Sequence, residues 1–283
     1  MAVDVWDPRP EATDYVRRYV AEAWPQMARI GMVADAAPDR WHFHASPESA
    51  VAAADFVQEN APERLPIKRD LYARIDQVLR PDAILASSTS GLIMSEMQAS
   101  FASASRMAVG HPFNPPHLIP LVEVVGGKGT AVETIRWCLD FYSHIGKRSI
   151  WIRKEAAGHL ANRLQAALFR EAVSAVASGL ASVEDVDTAI SAGPGLRWAA
   201  MGPHMTFHLG GGEGGMTHML NQFRPAFETW WATMTTPALT DAVCRQIIDG
   251  VAAEAKGKSI ADLAKERDAI LLPLLELKAR SES

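Results

Sequence analysis

The sequence predicts an α/β domain built on a parallel sheet, followed by an all-helical domain. Three observations carry that expectation. Short apolar runs alternate with stretches of helical spacing from the N-terminus to about residue 152. Near Arg153 and Lys154 the strand pattern stops. Beyond them only helical spacing recurs, with no low-complexity linker and no internal repeat. The expected domains are therefore 1–153 and 154–283.

A chain of 283 residues can bury two separate cores. A hydrophobic content of 48% beside 22% charged residues is that of an ordinary globular protein. The formal charge of −5 argues against nucleic acid or an anionic membrane as the main partner. The two cysteines, Cys138 and Cys244, give neither a disulfide framework nor a metal-ligand spacing, which suits a reducing cytoplasm. The absence of a long apolar run and of a signal-peptide pattern also points to a cytoplasmic protein.

Residues 2–6 alternate as a strand and end on Asp7. An acid at the tip of the second strand of a dinucleotide-binding sheet receives the adenosine ribose hydroxyls; the same residue could equally cap the following helix. That helix is expected over 11–31, with Tyr15, Val16, Tyr19, Val20 and Trp24 at helical spacing. Residues 41–44 form a short strand whose two histidines lack the further ligands of a metal site. An alanine-rich helix at 49–54 leads into a strand at 55–58, and a further helix is expected over 63–79.

The stretch from 82 to 125 holds the chemistry. One apolar run, 82–86, delivers the hydroxyl cluster Ser87, Ser88, Thr89 and Ser90. A second, 107–110, delivers His111 into a segment stiffened by Pro112, Pro115 and Pro116. A third, 121–125, carries the lone acid Glu123. Each of these has an ordinary structural reading, as turn, loop or edge-strand residue. Together they supply a hydroxyl to hold a substrate oxygen, an imidazole to take its proton and a carboxylate to orient the imidazole. A helix at 130–146 and a strand at 149–152 complete the domain. The remaining helices are expected at 157–179, 182–192, 201–209, 216–223, 238–255 and 259–278, with 193–198 a loop. Gly210, Gly212 and Gly215 spell a dinucleotide glycine motif, but a helix precedes them where the mechanism needs a strand.

Ser-Ser-Thr-Ser-Gly-Leu at 87–92, His-Pro-Phe-Asn-Pro at 111–115 and Pro-Leu-Val-Glu-Val-Val at 120–125 resemble the signature of the 3-hydroxyacyl-CoA dehydrogenase superfamily. The resemblance covers nearly the whole chain. It implies a Rossmann-like first domain and NAD-dependent oxidation of a 3-hydroxyl group. It implies Ser90, His111, Glu123 and Asn162 as catalytic residues, with His111 the general base. It places Asp7, Asn60, Glu63, Lys68 and Ser88 beside NAD, and tips Asp7 toward the ribose. Without it, Lys68 and Glu63 read as a solvated helical turn. The wording is nearest to the branch acting on L-carnitine, with the L-gulonate branch next and 3-hydroxyacyl-CoA a further alternative. For a quaternary ammonium substrate the aromatic candidates are Phe113, Trp198, Phe207 and Phe223. A homodimer is expected through the long apolar helices of the second domain, because 154–179 is too apolar to face water. The resemblance also implies that the chain starts at the family's second strand, without the glycine-rich βα unit. The expectation that follows is weak NAD binding, and a folded but inactive dimer as the alternative to an enzyme.

Overall fold

The computed structural model describes residues 1–281, which fall into two compact units, Met1–Arg163 and the residues from Leu164 on. The first unit runs β1 (Val3–Val5), α1 (Ala12–Ile30), β2 (Trp41–Phe43), α2 (Pro47–Val51), β3 (Phe56–Glu59), α3 (Leu65–Ile75), β4 (Ile84–Ser87), α4 (Met94–Met97), β5 (Met107–Pro112), β6 (Leu121–Gly126), α5 (Val132–His144) and β7 (Arg148–Ile152). The first turn of α6 (Ala161–Ala177) closes it. The sheet order is β3-β4-β5-β6-β7, while β1 and β2 form a separate parallel pair. Among the described residues no ladder joins the two pieces.

The larger sheet is parallel except at one seam. β5 and β6 pair antiparallel, with Ala108 opposite Gly126 and His111 opposite Glu123. This pair is the exception within the expected parallel sheet. Residues 113–120 are too few for the crossover that a parallel neighbour requires, so the chain turns straight back. The seam places His111 and Glu123 directly across from one another.

Alternation along the strands sorts the core onto two faces. Leu85, Met107, Val109 and Val125 pack with Tyr72, Ile75, Met94 and Met97 on the face covered by α3 and α4. Ile84, Ala108, Val122 and Val124 pack with Ile135, Cys138 and Tyr142 of α5 on the other. By the same period of two, His111 follows Met107 and Val109, and Glu123 precedes Val125, onto the first face.

The second unit is helical: α7 (Val183–Ser191), α8 (Pro194–Ala200), α9 (Pro203–Gly210), α10 (Gly215–Thr233), α11 (Asp241–Ala255) and α12 (Ile260–Ser281). The loop expected at 193–198 is mostly α8, because Pro194 occupies a first-turn position where its missing N–H costs nothing. The helix expected to stop at Phe223 continues through Pro225 to Thr233, and Thr229 Oγ1 donates to the Pro225 carbonyl. α6 starts later than expected, because Gly158 and His159 adopt left-handed φ values of 75° and 51° ahead of it. The boundary between the compact units lies at 163/164. The glycine-rich segment follows α9 and leads into α10, so no strand precedes it. Among the described residues no helix is long and apolar enough to cross a membrane.

Gly110 precedes His111 and faces the α5 side, where a Cβ would collide with the Tyr142 ring and hydroxyl. That hydroxyl donates to Gln58 Oε1 at 2.6 Å, and Gln58 Nε2 donates to the Gly110 carbonyl at 3.1 Å. The Gly110→Ala variant is therefore expected to lose about 1–3 kcal/mol by overpacking, read from the urea midpoint. The double variant Gly110→Ala/Tyr142→Phe should recover part of that loss.

Candidate active site

Glu123 is fully buried and His111 nearly so. Opposite residues of an antiparallel pair have Cβ atoms about 5 Å apart, which suits a direct side-chain contact. His111 Nδ1 lies 2.9 Å from Glu123 Oε2. The other carboxylate oxygen accepts from the backbone N–H groups of Leu160 at 3.0 Å and Ala161 at 2.7 Å, at the start of α6. Burial pushes the Glu123 carboxyl up, but the His111 hydrogen bond and the two amides outweigh it and hold it below its ordinary value. A carboxylate in that state fixes the proton of His111 on Nδ1. Nε2 is then the ring atom able to take a proton. Phe113 packs edge-on against the imidazole, with ring centroids 4.7 Å apart.

The hydroxyl turn after β4 is held by two carboxylates. Glu63 Oε1 accepts from Thr89 Oγ1 at 2.6 Å and from the N–H groups of Ser90 and Gly91 at 3.0 Å each. Glu59 lies deeper, buried with Lys68, Tyr72 and Ser87. It accepts from Lys68 Nζ at 2.8 Å, Tyr72 at 2.5 Å, Ser87 Oγ at 2.7 Å and the Ala61 N–H at 2.5 Å. Lys68 also donates to the Ala61 carbonyl at 2.9 Å. Lys68 is thus not the solvated residue of the sequence reading. It is sealed beneath the loop, because only there does a buried Glu59 find a counter-charge. Glu59 itself was missed. Its signal was an acid at the end of an apolar strand.

Ser90 is exposed, and its hydroxyl has no protein partner among the described residues. Asn162 donates from Nδ2 to the Ser90 carbonyl at 3.0 Å. Ser90, His111, Glu123 and Asn162 are thereby drawn into one network on the first unit. His159, also missed, lies buried between them.

Whether this edge fits NAD depends on its donor set. Asp7 follows β1 and accepts from the Arg9 backbone and guanidinium at 2.9 and 2.8 Å. The Arg9 hydrogen bond holds the Asp7 carboxyl below the usual carboxylate range. An anionic acid there accepts ribose hydroxyls and repels a 2′-phosphate. Asn60 is exposed and uses only Nδ2, on the Gln58 carbonyl at 3.1 Å. Ser88 extends the ladder through its N–H to the Glu59 carbonyl at 2.8 Å and keeps a half-buried hydroxyl. Asp7, Asn60, Glu63 and Ser88 fit the ribose and amide groups of NAD; Lys68 supports them from below.

In the second unit Phe207 packs on Phe227, whose ring also meets Trp230 and Trp231. A cavity of about 480 Å³ there is lined by Leu196, Arg197, Ala200, Met201, Thr206, Leu209 and Gly210. Trp198, Phe207 and Phe223 are not among those residues.

The chain matches two family models, the NAD binding domain of 3-hydroxyacyl-CoA dehydrogenase over residues 1–156 and its C-terminal domain over 158–245. It is 49% identical over 278 residues to the L-carnitine dehydrogenase of Streptomyces coelicolor, covering 98% of this chain and 87% of that protein. The L-carnitine dehydrogenase of a Pseudomonas species is 46% identical over 281 residues, covering 99% and 88%. Among solved structures, 5-formyl-3-hydroxy-2-methylpyridine 4-carboxylic acid 5-dehydrogenase, an NAD+-dependent dismutase, superposes with a TM-score of 0.84 at 28% identity, covering 97% of this chain and 90% of that one.

The lowered Glu123 pKa has a consequence for stability. A carboxyl depressed on folding contributes stability that is complete above its unfolded pKa, about 4.3, and is lost as pH falls through the folded value. The unfolding midpoint should drop as pH is taken from 6 down past about 4. In Glu123→Gln that fall should be shallower, with a lower midpoint at pH 6, read by denaturant titration at each pH.

Proposed function

The chain belongs to the 3-hydroxyacyl-CoA dehydrogenase family, and from that premise we propose that it oxidises L-carnitine at its 3-hydroxyl with NAD. The similarity along nearly the full length to two L-carnitine dehydrogenases supports the substrate. The observation that carries the chemistry is the His111–Glu123 pair, 2.9 Å apart on buried, opposed strand positions.

In this reading His111 Nε2 takes the hydroxyl proton, and the imidazolium that forms is stabilised by Glu123. NAD, when bound, accepts the hydride from the same carbon. Ser90 Oγ and Asn162 hold the reacting oxygen. Asp7, Asn60, Glu63 and Ser88 hold the cofactor, Asp7 at the ribose. Phe113, edge-on to the His111 ring, is the aromatic face of the first unit proposed for the quaternary ammonium. A cytoplasmic location is part of the same reading. So is a homodimer, supported by the exposed Leu164, Leu168 and Phe169 on α6.

Turnover of L-carnitine, L-gulonate and 3-hydroxybutyryl-CoA with NAD tests the substrate. L-carnitine should give the highest kcat/KM, and a higher value for either alternative overturns the choice. His111→Gln should lower kcat by about 10²–10⁴ while the fold, read by circular dichroism, is kept. Sedimentation at micromolar concentration should give a dimer; a clean species of 30.8 kDa would exclude it.

A further inference from the structure

His159 is a buried imidazole with no place in the reaction as derived. Its Nε2 lies 2.9 Å from the Thr89 carbonyl oxygen. A carbonyl only accepts, so Nε2 carries the hydrogen. Its ring lies 5.4 Å from that of His111, centroid to centroid. Its backbone adopts φ 51°, a left-handed conformation that non-glycine residues occupy at a cost and that clusters at functional sites.

The segment this residue opens grips the site at four points. His159 holds the Thr89 carbonyl and Asn162 holds the Ser90 carbonyl. Between them, the Leu160 and Ala161 amides hold Glu123. From the opposite side Glu63 holds the Ser90 and Gly91 amides. Thr89 is buried, so its carbonyl has no water to replace a lost donor.

We propose that His159 is a positioning residue of the dehydrogenase site, tying the Ser90 turn to the same helix start that fixes Glu123, so that hydroxyl and base keep one mutual geometry. The inference rests on the acid–base reading of Ser90 and His111. It also requires a neutral ring. The groups facing it are His111 on β5, Glu123 on β6 and Glu63 ahead of α3. Burial holds the His159 imidazole below its ordinary pKa, and the adjacent His111 adds to the effect. A neutral neighbour does not oppose the charge that His111 gains on taking a proton.

Two substitutions separate the donor from mere bulk. His159→Phe keeps a ring and removes the N–H, whereas His159→Gln keeps a donor. His159→Phe should lower kcat about tenfold, the kinetic equivalent of one lost buried hydrogen bond, with KM for NAD little changed. His159→Gln should recover most of that loss. Full kcat in His159→Phe, or equal losses in both variants, overturns the inference. Nitrogen-15 spectra of the imidazoles in the unmutated protein, recorded without substrate or cofactor, give a second readout. The expected result is a His159 ring protonated on Nε2 alone at pH 8; protonation on Nδ1 alone overturns the proposal. Absence of L-carnitine turnover in the unmutated protein counts against the substrate instead. The variants are then compared with whichever 3-hydroxy substrate is oxidised, and the spectra stand independently.

Discussion

A carboxylate removed from water must be compensated, and Glu123 is the buried charge that the rest of the site depends on. An uncompensated ionised group in a protein interior costs several kcal/mol, and one hydrogen bond does not offset that. Three donors meet Glu123: the His111 imidazole and the Leu160 and Ala161 amides. The first donor requires the β5–β6 register, since a one-residue slip would turn His111 to the opposite face. The other two require α6 to begin where it does, and that start depends on the left-handed turn at Gly158 and His159. Strand register, helix start and the local backbone are fixed together by one charge.

A second buried carboxylate repeats the device one layer lower. Glu59 ends β3 and gathers donors from its own loop, from α3 and from β4. Lys68 supplies the opposite charge in a site closed to solvent, so removing either partner would leave a buried ion without its closest counter-charge. Above it Glu63 collects the Ser90 and Gly91 amides. The hydroxyl turn is therefore shaped from below and from the side before any ligand arrives, which is what preorganisation requires.

Much of this was legible in the sequence, for definite reasons. The apolar runs that became β4, β5 and β6 are short and bounded by turn residues, so their strand character was plain. Ser90, His111, Glu123 and Asn162 were readable from motif wording, and that wording resembled a family whose domains the chain carries. The antiparallel seam was not readable from periodicity, because a period of two carries no direction. It could have been inferred from the length of the 113–120 connection. Pro225 reads as a helix stop by local rule, yet α10 continues through it. Lys68 looked solvated because its partner, Glu59, is close in space and was not recognised as buried. His159 carried no signal beyond following a glycine.

The electrostatics of the proposed proton transfer follow from the same arrangement. Before transfer, a neutral His111 faces an anionic Glu123, and the pair carries one net negative charge. After transfer the imidazolium and carboxylate form a buried ion pair, so charge is neutralised where screening is weakest. Glu123 is placed to stabilise the charge that His111 gains at Nε2. A second charged imidazole 5.4 Å away would oppose it, and burial instead holds the His159 imidazole below its ordinary pKa. Phe113 keeps a water-poor edge against the His111 ring without adding a charge of its own. The serine turn needs its carboxylate and imidazole clamps for the same reason: a site that gains its driving force from a low-dielectric ion pair has little tolerance for movement of the oxygen that supplies the proton.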